Sequence, residues 1–246
     1  MPMDLFFEVH RDLPREGPGE AASTRRAYQL MHRLPENPRL LDIGCGPGLQ
    51  TLELARISAA TVLAVDTHQP FLDVLARQAT QAGLADRITT RNQSMNALDF
   101  EPGSFDVLWS EGAIYIIGFE KGLRKWQPLL KKGGYVAVTE LTWLKAAPPA
   151  EAKAFWKEGY PGMQTLAGNL AAIQRAGYRE IDHFVLPESA WWQDYYNPMD
   201  KRIAMLTEKY QGDAEALTFL RECRGEIEVY RRYSEWYGYV FYVMQK

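Results

Sequence analysis

The sequence predicts an open α/β sheet covered by helices on both faces. Three observations carry that expectation. From residue 39 to residue 141, short apolar or β-branched runs alternate with stretches of helical period. Glycine and proline punctuate the alternation, as turns between such elements require. Strand and helix alternating at this spacing form βαβ units, and these pair their strands in parallel. With 246 residues, the chain can build one α/β domain with a sizeable core.

Residues 1–19 read as an extended arm or loop ending in the turn Arg15-Glu16-Gly17-Pro18-Gly19. Ser23 or Thr24 then caps a helix whose apolar positions are Ala27, Leu30, Met31 and Leu34, and Pro35 and Pro38 end it. Residues 1–34 thus make an N-terminal arm and helix. Strands are expected at 39–43, 61–65, 87–91 and 105–109. Helices are expected at 49–57, at 70–82 (opened by Pro70, closed by Gly83) and at 119–130. Gly133-Gly134 makes a turn before a strand at 135–141. Ala146-Ala147-Pro148-Pro149 is a break, followed by a helix at 163–176 and a strand at 178–186. Residues 187–230 carry Trp191, Trp192, Tyr195 and Tyr196 and then amphipathic helical patterns. The aromatic run at 236–244 is strongly β-prone and forms the last strand. Residues 1–246 therefore read as a single domain with a helical, aromatic insertion before that strand.

Composition removes several functions. A net charge of -3 is not that of a protein that grips phosphate backbones, so nucleic acid is not an expected partner. Cys45 and Cys223 are far apart, and the four histidines are scattered; no disulfide framework and no metal site is expected. The opening residues Met1–Glu8 lack the charged start and apolar run of a leader, and no stretch reaches the ~18 apolar residues of a membrane span. A cytoplasmic enzyme is the expectation.

The chemistry lies in Leu40-Leu41-Asp42-Ile43-Gly44-Cys45-Gly46-Pro47-Gly48. Its glycines follow a strand and open a helix, where backbone N–H groups meet a ligand closely. Dinucleotide enzymes use a related loop, but here Leu49 stands in the slot of their third glycine. Asp42, just before the loop, suits an ammonium group better than a pyrophosphate. Asp66, ending the second strand, can accept hydrogen bonds from two ribose hydroxyls. A ligand with amino-acid and adenosine ends and no phosphate fits all three features.

LDIGCGPG, VLAVD, FDVLWSEGA and LLKKGGYVAVTEL together resemble the successive motifs of class I S-adenosylmethionine-dependent methyltransferases of the small-molecule ("type 11") kind. The resemblance implies a Rossmann-like sheet of seven strands in order 3-2-1-4-5-7-6, the seventh antiparallel. It implies S-adenosylmethionine as cofactor, S-adenosylhomocysteine as product, no metal, and a small-molecule acceptor. Gly44, Cys45, Gly46 and Gly48 would then surround the methionine part, with Asp42 near its amino group. Asp66 would hold the ribose, and Thr67 or His68 would lie beside the adenine. Ser94 and Met95 fall where the family has an acid and a small residue at the adenine edge, so Ser94 is a departure. Ser110 and Glu111 would face the cofactor after the fourth strand.

Glu111 and Tyr115 are the candidate catalytic residues; Glu111 could deprotonate an acceptor or simply brace the site. Tyr115, Trp191, Trp192, Tyr195 and Tyr196 are candidates for the acceptor pocket; the last four could form a cation cage or the apolar underside of a cap over 187–230. The competing readings are an NAD-dependent oxidoreductase, a nucleic-acid methyltransferase and a non-catalytic scaffold that keeps the cofactor pocket. Leu49 disfavours the first. Ser110-Glu111-Gly112-Ala113, where an Asn/Asp-Pro-Pro run would stand, disfavours the second.

Overall fold

A computed structural model describes residues 3–246, so residues 1 and 2 of the expected N-terminal loop lie outside the described part. Strands β1 (Arg39–Ile43), β2 (Thr61–Asp66), β3 (Ile88–Asn92), β4 (Phe105–Ser110) and β5 (Leu130–Trp143) pair in parallel. A two-residue strand, β6 (Gln164–Thr165), adds to β5 off the main path. Strand β7 (Arg179–Val185) is antiparallel to β8 (Tyr237–Gln245), which is itself antiparallel to β5. The order is β3-β2-β1-β4-β5-β8-β7. This is the expected order with its antiparallel last strand; β6 only shifts the numbering.

Alternate side chains of each strand feed opposite faces, as strand geometry dictates. Leu40, Val107, Ala137 and Phe241 join one buried cluster; their neighbours Leu41, Leu108, Val138 and Tyr242 join another. Both faces are therefore apolar, the mark of a sheet covered on both sides. Helices α2 (Ala21–Gln29), α3 (Leu49–Ile57) and α4 (Gln69–Gln81) contribute Ala27, Leu54 and Leu75 to the first cluster. Helices α5 (Phe119–Trp126) and α7 (Leu166–Arg175) contribute Leu123 and Ile173 to the second.

A third cluster lies at one end of β5 and β8, around Leu141 and Tyr237. It is built by α1 (Met3–His10) and by the insertion: α8 (Ser189–Trp191), a π-helical turn (Trp192–Tyr196), α9 (Asn197–Lys209) and α10 (Ala214–Tyr233). Helix α6 (Ala150–Gly159), not foreseen from the sequence, packs beside α10. No described helix is long and apolar enough to cross a membrane.

Four expectations need correction. Residues 3–10 are helical rather than extended, because Leu5 and Val9 bury one face of α1 against the insertion. Arg202 Nε donates to the Glu8 carbonyl at 2.9 Å, and the Glu8 carboxylate meets Lys209 Nζ at 2.5 Å and Tyr210 Oη at 2.7 Å. Helix α2 starts after Glu20, so Ser23 and Thr24 are buried inside it instead of capping it, and it ends at Gln29, ahead of Pro35. The helix expected at 119–130 stops at Trp126 and tightens into a 3₁₀ turn over Gln127–Leu129, where Pro128 removes a helical donor. Gly133-Gly134 lies inside β5: Leu130 pairs with Phe105 and Tyr135 with Val107, so the glycines sit in a bulge.

Candidate functional site

The C-terminal ends of β1, β2 and β4 open onto a cavity of about 360 Å³, within the usual size of a small-molecule site. Its floor is the loop after β1. Gly44 and Cys45 donate their N–H groups to the Val65 carbonyl at 2.8 and 3.0 Å, which folds the loop back over β2. Gly44 has φ +72, and a Cβ there would stand 2.5 Å from Ala113 Cβ. Only glycine allows that approach. Gly48 has φ +85 at the start of α3, and a Cβ there would meet Leu75 Cδ1 at 2.4 Å. Gly44, Cys45 and Gly46 line the cavity, whereas Gly48 packs the loop onto α4.

Asp66 lines the cavity at the end of β2. Its Oδ2 accepts the Gly46 N–H at 3.0 Å and its Oδ1 the His68 N–H at 2.9 Å, so it ties the glycine loop to the next turn. Thr67, His68, Ser94 and Met95 also line the cavity. Phe7 of α1 stacks on His68 with ring centroids 3.9 Å apart and 7° between planes, and Phe71 meets His68 edge-on at 4.4 Å. This end of the cavity is therefore aromatic.

Asp42 is fully buried and does not reach the cavity wall. Its Oδ2 accepts from Thr51 Oγ1 and from Gln50 Nε2, while its Oδ1 has no partner. Burial pushes its carboxyl up to about 7, against the Thr51 hydrogen bond and with a further push from Glu111. Gln50, which does line the cavity, connects Asp42 to the Cys45 carbonyl. Ser110 is buried and donates to the Ile43 carbonyl at 2.8 Å, a tie between the ends of β4 and β1.

Glu111 is at the cavity, with its side chain only 4% exposed. It accepts from three donors: Arg15 Nη1 at 3.0 Å, Thr24 Oγ1 at 2.8 Å and Trp109 Nε1 at 2.9 Å. A carboxylate so engaged braces the arm against the sheet. The turn at Arg15–Pro18 thereby becomes a wall of the cavity. Glu16, from that turn, approaches Gly46, and its Oε1 is buried without a partner. Burial and then the Asp66 charge push its carboxyl up to about 8. The arm continues into the insertion: Gly19 N–H donates to the Ala190 carbonyl at 2.9 Å and Ser189 Oγ to Glu20 Oε2 at 2.6 Å.

Tyr115 lines the cavity and is 42% exposed. The other aromatic candidates do not line it. Trp191 stacks on Tyr230 at 4.0 Å, Trp192 packs beside Tyr196 and Tyr230, and Tyr195 stacks on Tyr196. They belong to the third core cluster, beneath the insertion. The sequence reading did not single out Phe7, Gln50 or Gln93, which line the cavity, nor the unpartnered carboxylate of Glu16. Gln50 was within reach, the second residue of the helix that the glycine loop opens. No group of His, Cys, Asp and Glu suited to a metal ion occurs among the described residues.

Comparison with known proteins agrees with this architecture. Residues 40–134 match the family described as "Methyltransferase domain". "Methyltransferase GfsG" of Streptomyces halstedii is 29% identical over 123 residues, 49% of this chain and 44% of that protein. The dimethylglycine N-methyltransferase of Parasynechococcus marenigrum is 32% identical over 123 residues, 48% of this chain and 44% of that protein. The chain thus spans less than half the length of these curated relatives. In three dimensions it resembles a SAM-dependent methyltransferase from Thiobacillus denitrificans solved with S-adenosyl-L-homocysteine: TM-score 0.84, 19% identity, 99% of this chain and 98% of that one. Residues 40–134 thus match a methyltransferase domain, and the chain as a whole has the strand order and fold of the class I S-adenosylmethionine-dependent methyltransferases.

Proposed function

We propose that this protein binds S-adenosylmethionine at the glycine loop and methylates a small-molecule acceptor, working in the cytoplasm. The observation that carries this reading is the set of buried polar atoms left without partners around the loop. Arg15 Nε is an unpaired donor, and Glu16 Oε1 and Asp42 Oδ1 are unpaired acceptors. Buried polar groups ordinarily find partners, and a zwitterionic amino-acid end would offer both signs. Arg15 would hold its carboxylate; Glu16, with Asp42 behind it, would hold its ammonium. A pyrophosphate would instead face Glu16 and Asp66 at the cavity wall, a repulsion that disfavours a dinucleotide.

The residues at the other end fit as well. Asp66 has acceptor capacity left on both oxygens for ribose hydroxyls. His68, Phe7 and Met95 offer flat or polarizable surface to an adenine. When bound, S-adenosylmethionine supplies a methyl group on a cationic sulfur, open to displacement by an acceptor's lone pair. The chain's part is to hold both partners in line and keep water out. Glu111 fixes the arm as a wall of the cavity, and Tyr115 is the residue facing the acceptor.

A labelled-methyl assay against pooled small amines, phenols and carboxylates tests the reading. It should give a methylated product and an equal amount of S-adenosylhomocysteine. Tight S-adenosylhomocysteine binding with no acceptor methylated across the pools would instead indicate a cofactor-binding scaffold.

A further inference from the structure

We propose that the acceptor is an uncharged molecule with an apolar body, and that Tyr115 and Ile116, on the turn after β4, hold that body at the mouth of the cavity. The proposal rests on the methyltransferase reading above and names its substrate class. Two observations carry it: where large apolar side chains stay exposed, and which charges of the cavity are already engaged.

Among the described residues, five large apolar side chains are exposed, and three of them, Phe6, Tyr115 and Ile116, line the cavity. Val185 on β7 and Met205 on α9 do not. Single exposed apolar side chains are ordinary, but a group of them at a pocket marks where an apolar ligand lies. Phe6 meets Phe7 edge-on at 5.5 Å and so belongs with His68, at the end suited to adenine. Tyr115 and Ile116, 42% and 61% exposed, stand on the turn whose Ala113 abuts Gly44. That turn is held fast. Gly112 N–H donates to Thr139 Oγ1 at 2.7 Å, Ile116 N–H to the Ala113 carbonyl at 3.1 Å and Gly118 N–H to the Tyr115 carbonyl at 3.0 Å. Ile114 is buried against Gly122 of α5. Tyr160 braces the Tyr115 ring edge-to-face at 5.7 Å, and its hydroxyl donates to the buried Glu140. The exposed apolar surface is therefore fixed in place.

The charged side chains of the cavity already have partners or are taken by the cofactor. Glu111 accepts from Arg15, Thr24 and Trp109, and Arg15 is the only arginine or lysine among the described residues lining the cavity. In the cofactor reading, Arg15 also meets the amino-acid carboxylate, Glu16 the ammonium and Asp66 the ribose. His68 meets Phe7 and Phe71, and burial lowers its ring from the ordinary histidine value, so it is uncharged near neutral pH. An ammonium or carboxylate on the acceptor would leave water without a free counter-charge, which is strongly unfavourable. An uncharged molecule meets no such penalty, and its apolar body gains by leaving water against Tyr115 and Ile116.

The test uses the full chain saturated with S-adenosylhomocysteine and three probes of nearly one shape, followed by NMR titration near neutral pH. These are 4-propylbenzyl alcohol, 4-propylbenzylammonium and 4-propylbenzoate. The alcohol should bind at least about ten-fold more tightly than either ion. 4-Methylbenzyl alcohol, shorter by two methylenes, should bind about ten-fold more weakly than the propyl alcohol. Ile116→Ser should weaken binding of the propyl alcohol by roughly three- to ten-fold. Met205→Ser removes an equally exposed side chain away from the cavity and should change nothing. The comparison of probes needs no variant, so it stands even if a variant fails to fold. Equal or tighter binding of either ion, no saturable binding of the propyl alcohol up to its solubility, no loss on shortening it, or an effect of Ile116→Ser no greater than that of Met205→Ser would each overturn the proposal. Loss of S-adenosylhomocysteine binding in the native chain would instead reject the cofactor reading beneath it.

Discussion

Replacing Glu111 by alanine is expected to destabilise the fold by about 3–5 kcal/mol, because it strands a buried guanidinium. Arg15 and Glu111 expose 5% and 4% of their side chains and meet at 3.0 Å. Removing the carboxylate also leaves Trp109 Nε1 and Thr24 Oγ1 without the acceptor they share. Urea unfolding of Glu111→Ala measures the loss, and a change below about 1 kcal/mol, the worth of an exposed pair, would contradict the burial argument. The double variant Arg15→Met/Glu111→Leu should recover most of the stability, since an apolar pair needs no counter-ion. It should not recover cofactor binding, because Arg15 Nε would be gone.

Asp66→Ala should weaken S-adenosylhomocysteine binding by roughly 10- to 100-fold, from the ~1.5–3 kcal/mol of a hydrogen bond to a charged group. The carboxylate has two tasks. It fixes Gly46 and His68 through their N–H groups, and it faces the cavity. Asp66→Asn keeps one carbonyl oxygen and should fall between the native protein and the alanine variant. Calorimetry gives these affinities directly; an unchanged value for Asp66→Ala would mean that the ribose lies elsewhere.

Much of the sheet was legible because its signals are local. Neighbours such as Leu40 and Leu41 face opposite clusters, so a buried parallel strand reads as a continuous apolar run. Gly48 and Pro70 mark helix starts within the same few residues. The glycine loop and Asp66 were legible for the same reason, since their hydrogen bonds join residues some twenty apart at most.

The arm and the insertion were not legible because their partners are remote. Eight residues make too short a helix to stand alone. Helix α1 is held by Glu8 contacts to Lys209 and Tyr210, about two hundred residues away. Thr24 looks like a capping residue but bonds Glu111, 87 residues on. Trp191 and its neighbours suggested a pocket wall, but Trp191 stacks on Tyr230 of another helix. The acids Glu16 and Glu140 are ordinary in sequence; burial alone sets them apart.

The central claim is that the loop from Gly44 to Gly48 is built for a sulfonium nucleoside bearing an amino-acid end. Titrating the native chain with S-adenosylhomocysteine and, separately, with NADH in a calorimeter tests it most directly. Saturable binding of S-adenosylhomocysteine and no heat from NADH is the result expected. Saturable binding of NADH with none of S-adenosylhomocysteine would contradict the account.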